Sequence, residues 1–153
     1  MARAFQFETA IQPDWIDYNG HMRDAYFGLV FSLAVDAMQD EIGFDEAYRK
    51  RTGCTIYLLE DHKYFLREVK LNERVRVESF VVNCDAKRFH LHMRMYAGGE
   101  LASVGEFMEL HVAQTPTPRA APMPDAILVT LQAAKLSNAE VAALSHRPRP
   151  MGF

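Results

Sequence analysis

Cysteine is scarce in this 153-residue sequence, and Cys54 and Cys84 are too few for a disulfide framework and too far apart for a metal-binding pair. A reducing, cytoplasmic setting is therefore expected. A strong charge of either sign is also missing, because the formal net charge is only -3, so neither nucleic acid nor a membrane surface is expected as a partner. The N-terminus reaches Glu8 before any long apolar run forms, so no secretory or membrane-spanning segment is expected there.

Hydrophobic residues make up 49% and charged residues 24% of the chain, which is typical of a globular domain with a buried core. The length falls within the ~100 to 200 residues of a single domain. Composition then changes near residue 114, where proline and alanine become frequent. We therefore expect a core domain at residues 1–114 and a peripheral appendage at residues 115–153. Short helices are expected in the appendage, one after Pro124 and one that begins at a capping box formed by Ser137 and Glu140.

The pattern of apolar residues predicts one long helix and several strands. From Ala25 to Val35 the chain is apolar on every side, which is typical of a buried helix; Asp24 is expected to cap it and Gly43 to end it. Alternation and β-prone composition predict strands at residues 5–11, 55–69, 74–84, 88–97 and 101–112, a turn at Gly98-Gly99 and a short helix at 45–51. One long helix beside a run of antiparallel strands indicates an α+β fold whose sheet curls around the helix.

The segment from Trp15 to Met22, just before the long helix, is the best candidate for chemistry. It places Asp17 and His21 in a glycine-containing loop at a helix N-terminus, where free backbone NH groups polarise a carbonyl oxygen. This combination suits acyl transfer. Spacing alone leaves an alternative open, in which Asp17 and Asn19 only form a turn and His21 is a surface residue.

With Asp17, Gly20, His21 and Tyr26 in place, the loop resembles the active-site loop of the hotdog-fold acyl-CoA thioesterases, the 4-hydroxybenzoyl-CoA thioesterase-like family. The resemblance covers residues 5–113, and Arg23 and Asp24 depart from it where many relatives carry asparagine. Within the family the chain is most similar to the betainyl-CoA thioesterases of carnitine catabolism, which release glycine betaine. The segments that carry this closer similarity are Pro13 to Met22, Thr52 to Tyr57, Tyr64 to Val69 and Asp85 to Arg88.

The resemblance implies a hydrolase in which Asp17 is either the nucleophile or the general base, while His21 and Asn19 orient the loop or the thioester. Backbone NH groups at Asp24 and Ala25 are expected to hold the oxyanion.

Recognition of a trimethylammonium group requires aromatic faces and carboxylates, because this group donates no hydrogen bond. The residues expected to bind the acyl group are Trp15, Tyr18, Tyr26, Tyr57 and Tyr64, with Glu60 or Asp61 adding charge. The residues expected to bind the CoA phosphates are Arg67, Lys87 and Arg88.

No metal is expected, because His90, His92 and His111 lack a third ligand placed by spacing, and no cofactor is expected beyond the CoA of the substrate. The resemblance implies a homodimer, or a tetramer, with each active site at an interface between subunits.

Two alternatives from other classes stay open. One is a hydratase or dehydratase acting on acyl thioesters, and the other is a non-catalytic module that binds acyl-CoA or a quaternary amine. A thioesterase for aromatic or aliphatic acyl groups is a third possibility.

Overall fold

The computed structural model describes residues 2–147, which form six strands and four α-helices. The strands are β1 (Phe5–Ala10), β2 (Cys54–Phe65), β3 (Arg74–Cys84), β4 (Arg88–Ala97), β5 (Glu100–Ala113) and β6 (Arg119–Ala120). The α-helices are α1 (Asp24–Ile42), α2 (Glu46–Thr52), α3 (Asp125–Ala134) and α4 (Asn138–Ala142), and a short 3-10 helix covers Pro13–Trp15. No helix within the described residues is long and apolar enough to span a bilayer.

Five of the strands form one antiparallel sheet in the order β1-β3-β4-β5-β2, and β6 pairs with β5. The predicted turn at Gly98-Gly99 joins β4 to β5, and both glycines have positive φ angles, of 58° and 84°. Alternate residues of the sheet point toward α1 and bury their side chains in the core with it; on β4 these are Phe89, Leu91, Met93 and Met95. The predicted α+β class is therefore confirmed.

Helix α1 begins one residue earlier than predicted. Arg23 occupies the N-cap position and contributes no side-chain hydrogen bond, so the prediction that Asp24 caps the helix is wrong. Asp24 instead lies in the first turn, where its negative charge stabilises the positive end of the helix dipole. The predicted end is confirmed, because Gly43 adopts a left-handed conformation with a φ of 103°.

The prediction of a buried helix is wrong for one face of α1 in the single chain. Phe27, Phe31 and Met38 are buried against the sheet, but a second stripe stays exposed. The residues of this exposed stripe, which lie three or four apart on one helix face, are Ala25, Leu29, Ser32 and Asp36. The sheet covers only one side of α1. The exposed stripe, which contains both apolar and polar residues, is therefore available for contact with another molecule.

The C-terminal segment packs on the sheet through a few apolar side chains. Met123, Ile127 and Leu131 belong to the same buried cluster as α1 and the sheet. The predicted capping box is present, since Ser137 and Glu140 exchange hydrogen bonds at the start of α4. The described part of residues 115–153 ends at residue 147, and the boundary at residue 114 stays a prediction.

The outer face of the sheet, away from α1, contains a buried polar cluster. Glu106 is completely buried, its Oε1 accepts a hydrogen bond from Arg147, and its Oε2 lies 3.3 Å from His90 Nε2. Burial raises the pKa of Glu106, but the contacts with His90 and Arg147 outweigh it and hold this pKa below its ordinary value. Neighbouring His92 contacts the carbonyl oxygen of Ser145 at 3.1 Å, and burial lowers its pKa to about 4. This cluster fastens the end of the described chain to the sheet.

Candidate active site

The loop before α1 is organised around Asp17. Its Oδ1 accepts hydrogen bonds from the backbone NH groups of Asn19 at 2.8 Å and His21 at 3.3 Å. Its backbone carbonyl also accepts from the NH of Gly20 at 3.0 Å, which closes a tight turn in which Gly20 has a φ of 79°. Asp17 Oδ2 has no hydrogen-bond partner among residues 2–147. One carboxylate oxygen therefore shapes the loop while the other stays available.

The loop leads directly into the N-terminus of α1, which lacks a side-chain cap. Because the first NH groups of a helix have no partner inside it, those at Asp24 and Ala25 form a positive end for an anion or a polarised oxygen. A cavity of about 340 Å³ opens at this point, here called the loop cavity. It is lined by His21, Met22, Asp24, Phe27, Phe65, Leu66, Arg67 and Glu68. Apolar side chains therefore share the wall of the cavity with polar and charged ones beside the helix terminus.

His21 joins the loop to the chain that follows β2. Its Nε2 lies 2.9 Å from Glu68 Oε2, and the NH of Met22 donates to the carbonyl of Val69 at 2.7 Å. This contact with the Glu68 carboxylate fixes the orientation of the imidazole ring. The predicted residues Asp17, Asn19 and His21 are therefore brought into one turn beside the loop cavity, Asn19 through its backbone and with an exposed side chain.

The aromatic residues expected around the acyl group do not form a cage in the single chain. Trp15 and Tyr26 stack on each other, with ring centroids 5.8 Å apart, so each covers a face of the other. Tyr18 is 92% exposed at the tip of the loop. These three residues lie near the loop, but they enclose no common space.

Three other residues expected to bind the acyl group lie on the outer face of the sheet. Tyr64 packs against the ring of His146 at 6.0 Å, and Glu60 contacts His62, which lies two residues further along the same face. Tyr57 alternates with Ile56 and Leu58, which face α1, so it points outward as well. The structure does not bring Tyr57, Glu60 and Tyr64 to the loop cavity.

The basic residues expected to bind CoA lie at two distant places in the folded chain. Arg67 lines the loop cavity and pairs with Glu73 at 2.7 Å and Glu100 at 2.8 Å. Lys87 lies in the turn between β3 and β4, and Arg88 is the first residue of β4. Asp85 accepts hydrogen bonds from both of their backbone NH groups and from the Arg88 guanidinium.

Their distance from the loop cavity follows from the register of the sheet. Arg88 pairs with Leu110 of β5, whereas Phe65 of the cavity pairs with Ser103. Seven residues of a strand span about 23 Å. Of the three basic residues, only Arg67 is therefore brought to the loop cavity within one chain.

The histidines considered as metal ligands have other surroundings. His90 and His92 lie in the cluster on the outer face, while His111 is buried on the α1 side, where Tyr48 Oη is 2.8 Å from its Nε2 and the Ala121 carbonyl is 2.8 Å from its Nδ1. Residues 2–147 contain no group of three or more His, Cys, Asp and Glu side chains placed to hold a metal ion.

A second cavity, of about 350 Å³, lies along α1 toward its C-terminal half; we call it the acidic groove. It is lined by Gly28, Ser32, Val35, Asp36, Gln39, Ile56, Leu58, Asp61, Phe107 and Glu109. Glu109 is only 4% exposed, and burial, followed by the charges of Asp36 and Asp61, raises its pKa to about 7.

Sequence reasoning missed both Glu68 and Glu109 as candidate site residues. The signal for Glu109 was present, because it lies on the same strand face as Phe107, among residues that the alternation of β5 places toward the core. A charged residue at such a position is uncommon unless it has a partner or a function.

Comparison with known proteins identifies the family. The sequence model of the "Thioesterase-like superfamily" matches residues 11–131. The chain is 41% identical over 147 residues to a betainyl-CoA thioesterase of Pseudomonas aeruginosa, covering 95% of this chain and 87% of that protein. It is also 38% identical over 125 residues to an L-carnitine dehydrogenase/betainyl-CoA thioesterase of Agrobacterium fabrum, covering 81% of this chain but only 25% of that longer protein.

Solved structures agree with this assignment. A candidate thioesterase from Pseudomonas putida KT2440 is 32% identical, with a TM-score of 0.75 and coverage of 100% of this chain and 95% of that one. A Staphylococcus aureus protein solved in complex with CoA has a TM-score of 0.79 at 24% identity, with 97% of both chains covered. The fold is therefore the hotdog fold, as the resemblance implied.

Proposed function

The chain belongs to the thioesterase-like superfamily, and from this membership we propose that it hydrolyses betainyl-CoA to glycine betaine and free CoA. As a member of this family the chain is a thioester hydrolase. The identity of the acyl group as betainyl is the more specific part of the proposal. It is supported by the Pseudomonas aeruginosa relative, whose alignment covers most of both proteins. The observation that carries the chemistry is the Asp17 turn beside the uncapped N-terminus of α1.

Asp17 is the group that starts the reaction in this proposal. Its Oδ2, which lacks a partner among the described residues, takes one of two roles. It attacks the thioester carbon, which displaces CoA and gives a mixed anhydride that water then hydrolyses, or it takes a proton from a water that attacks the thioester carbon directly. Backbone NH groups at Asp24 and Ala25 hold the oxyanion at the positive end of α1, a contact that contributes about 3 to 4 kcal/mol to the barrier reduction in other enzymes. His21, held by Glu68, orients the loop. CoA leaves as the thiolate, so the proposed chemistry requires neither a metal nor a redox cofactor.

We further propose that the protein works as a homodimer. Strand β2 is at the edge of the sheet, so its backbone hydrogen-bonding groups are open to a second copy. Its side chains Leu58, Leu59 and Phe65 are 52%, 54% and 52% exposed, and α1 leaves its own stripe uncovered nearby. Large apolar side chains on an unpaired edge are typical of a surface that is buried in an oligomer.

The cellular role that we propose is carnitine breakdown in the cytoplasm. Its support is the name of the longer relatives, which join an L-carnitine dehydrogenase to a betainyl-CoA thioesterase. This chain spans about a quarter of those proteins and matches one part of them.

The first experiment compares thiol release from betainyl-CoA by the wild type, Asp17→Asn and Asp14→Asn. Asparagine keeps the oxygen that accepts from Asn19 and His21, so Asp17→Asn removes the charge while the turn is retained. We expect kcat to fall at least ~100-fold with an unchanged melting temperature. Asp14, exposed in the preceding 3-10 helix, is the matched control and should retain full activity. Full activity of Asp17→Asn would overturn the mechanism, and hydrolysis of other acyl-CoAs in preference to betainyl-CoA would overturn the substrate.

Light scattering tests the oligomer separately. We expect a mass at least twice the 17.5 kDa of one chain, and a shift toward monomer when Leu58 and Leu59 are both replaced by lysine. A monomeric wild type at micromolar concentration would reject the dimer.

A further inference from the structure

Glu109 has surroundings that are costly for a carboxylate. It is 96% buried in the acidic groove, and no residue between 2 and 147 donates a hydrogen bond to it or forms an ion pair with it. The charges that act on it, those of Asp36 and Asp61, have the same sign as its own. Its oxygens are not among the fully enclosed side-chain atoms that lack a hydrogen-bond partner within the described residues; they reach the space of the groove, where a ligand can contact them. A carboxylate that is almost buried and lacks a protein partner is stabilised by such a ligand.

We infer that the acidic groove binds the quaternary ammonium head of the acyl group, with Glu109 as its counter-charge. This inference rests on the proposed function and adds the residues that select the acyl group. The groove is lined by the carboxylates of Asp36 and Glu109, by Asp61, which Lys63 already pairs with, and by apolar walls at Val35, Ile56, Leu58 and Phe107. Methyl groups on nitrogen need such walls, and the positive charge that they spread needs the carboxylates.

The chain itself shows that a cation is accommodated here. The Lys63 amine lies 5.9 Å from the centre of the Phe107 ring and pairs with Asp61. Among residues 2–147, no other lysine pairs with a carboxylate of the groove or lies over its Phe107 ring. Lys63 forms no contact with Glu109, which stays without a partner among these residues. A metal ion is a poorer occupant, because no group of three ligands suited to one exists within residues 2–147.

The position of the groove along α1 indicates whether one copy can hold both the thioester and the ammonium head of a substrate. Its acidic end at Ser32 and Asp36 lies about 12 to 18 Å further along α1 than Asp24. The carbonyl carbon and the nitrogen of a betainyl group are two bonds apart, about 2.5 Å, so one chain does not hold the thioester at Asp24 and the head at Asp36 together. Ser32 and Asp36 also belong to the exposed stripe of α1. The groove of one copy therefore receives the head of a substrate whose thioester lies at the Asp17 loop of the other copy.

The test compares betainyl-CoA with 3,3-dimethylbutanoyl-CoA, which has the same shape with carbon in place of the charged nitrogen. Wild type, Glu109→Gln and the control Glu41→Gln, an exposed carboxylate elsewhere on α1, are assayed with both substrates. We expect Glu109→Gln to lower the ratio of kcat/KM values, charged over neutral, at least 10-fold, while Glu41→Gln leaves it unchanged. An unchanged ratio in Glu109→Gln would overturn the inference. Asp36→Asn, on the exposed side of the groove, is expected to lower the same ratio and replaces Glu109→Gln if that variant does not fold.

Failure of the inference is separated from failure of the proposed function by a titration with tetramethylammonium. If the wild type does not hydrolyse betainyl-CoA but binds this cation, and Glu109→Gln does not, the groove assignment stands and the proposed function is wrong. If betainyl-CoA is hydrolysed and neither tetramethylammonium binding nor the substrate ratio depends on Glu109, the groove assignment is wrong and the proposed function stands.

Mixed oligomers test the contribution between copies. Asp17→Asn and Glu109→Gln chains, each weakly active alone, are co-expressed and the mixed dimer is isolated. We expect it to recover about half of the wild-type rate, because one of its two sites combines an intact loop with an intact groove. No recovery would overturn the assignment of the two elements to different copies.

Discussion

Glu106 and Glu109 lie three residues apart on β5, both almost completely buried, yet they have opposite surroundings. Glu106 faces outward and contacts Arg147 and His90, and its pKa is lowered. Glu109 faces α1, has no partner among residues 2–147, and its pKa is raised to about 7. Burial acts on both carboxyls in the same direction, so the difference comes from their partners.

This difference separates a structural carboxylate from one available to a ligand. The charge of Glu106 is compensated within the chain, where it fastens the C-terminal segment to the sheet. The charge of Glu109 is not compensated by any described residue, and it lines a cavity that is open to solvent on the exposed side of α1. Stability experiments on the two faces should therefore give opposite results.

The largest stability effect is expected for Glu106→Gln. Removing one partner of a buried ion pair leaves the others uncompensated, so we expect the free energy of unfolding to fall by about 3 to 5 kcal/mol. Urea unfolding at pH 7 measures this, with the exposed Glu8→Gln as the control. A loss below that of the control would show that the outer cluster is not structural.

A smaller effect of opposite sign is expected for Glu109→Gln. Between pH 4.5 and about 7 the unfolded carboxyl loses its proton while the folded one keeps it, so wild-type stability falls as the pH rises through this window. The loss reaches about 3 kcal/mol, because each tenfold change in acid dissociation is worth ~1.36 kcal/mol. Glu109→Gln lacks this loss and should become more stable than the wild type by that amount above pH 7, relative to their difference below pH 4.5.

Unfolding curves of Glu109→Gln and the wild type across this pH range check the sign. Parallel pH profiles for the two proteins would mean that Glu109 has a partner in solution.

The pH dependence of stability has the opposite sign for Glu106, because its folded pKa lies below the ordinary value of 4.5. The stabilisation from Glu106 is present above that pH and is lost as the pH falls through the folded pKa.

The smallest effect is expected for Arg147→Met. Its side chain is 27% exposed, so the guanidinium is partly solvated, and we expect a loss of about 1 to 2 kcal/mol. With one hydrogen bond removed, the folded pKa of Glu106 should lie closer to its ordinary value, so the acid-induced loss of stability should be smaller and should be complete at a higher pH. An acid transition identical to that of the wild type would assign the whole effect on Glu106 to His90.

Much of the fold was predictable because its signals are local. Alternation in β4, the Gly98-Gly99 turn and the left-handed Gly43 are each determined by a few neighbouring residues, and the structure has them where the sequence indicated. The Asp17 turn is local as well: asparagine, glycine and aspartate in four residues form it without any tertiary contact.

The faces of β2 were not predictable in the same way. A bulge between Leu58 and Glu60 inserts one residue and reverses which positions face α1. After it, Asp61 faces the helix, while Glu60 and Tyr64 share the outer face with Tyr57. A bulge depends on how the partner strand is registered, which the sequence of β2 alone does not state.

The sequence by itself determined the α+β class, most helix and strand positions, the catalytic loop candidate and, through resemblance, the family. Each of these depends on residues near one another in the chain or on a shared motif. The strand predicted at residues 55–69 instead ends at Phe65, and the two-residue β6 was not predicted. Only the tertiary structure decided that Arg67 lies at the loop cavity while Lys87 and Arg88 lie at the other end of the sheet, and that Glu109 is buried without a described partner. Burial and charge pairing depend on residues distant in sequence, here Asp36, Asp61 and Glu109, which become neighbours only when the sheet closes over α1.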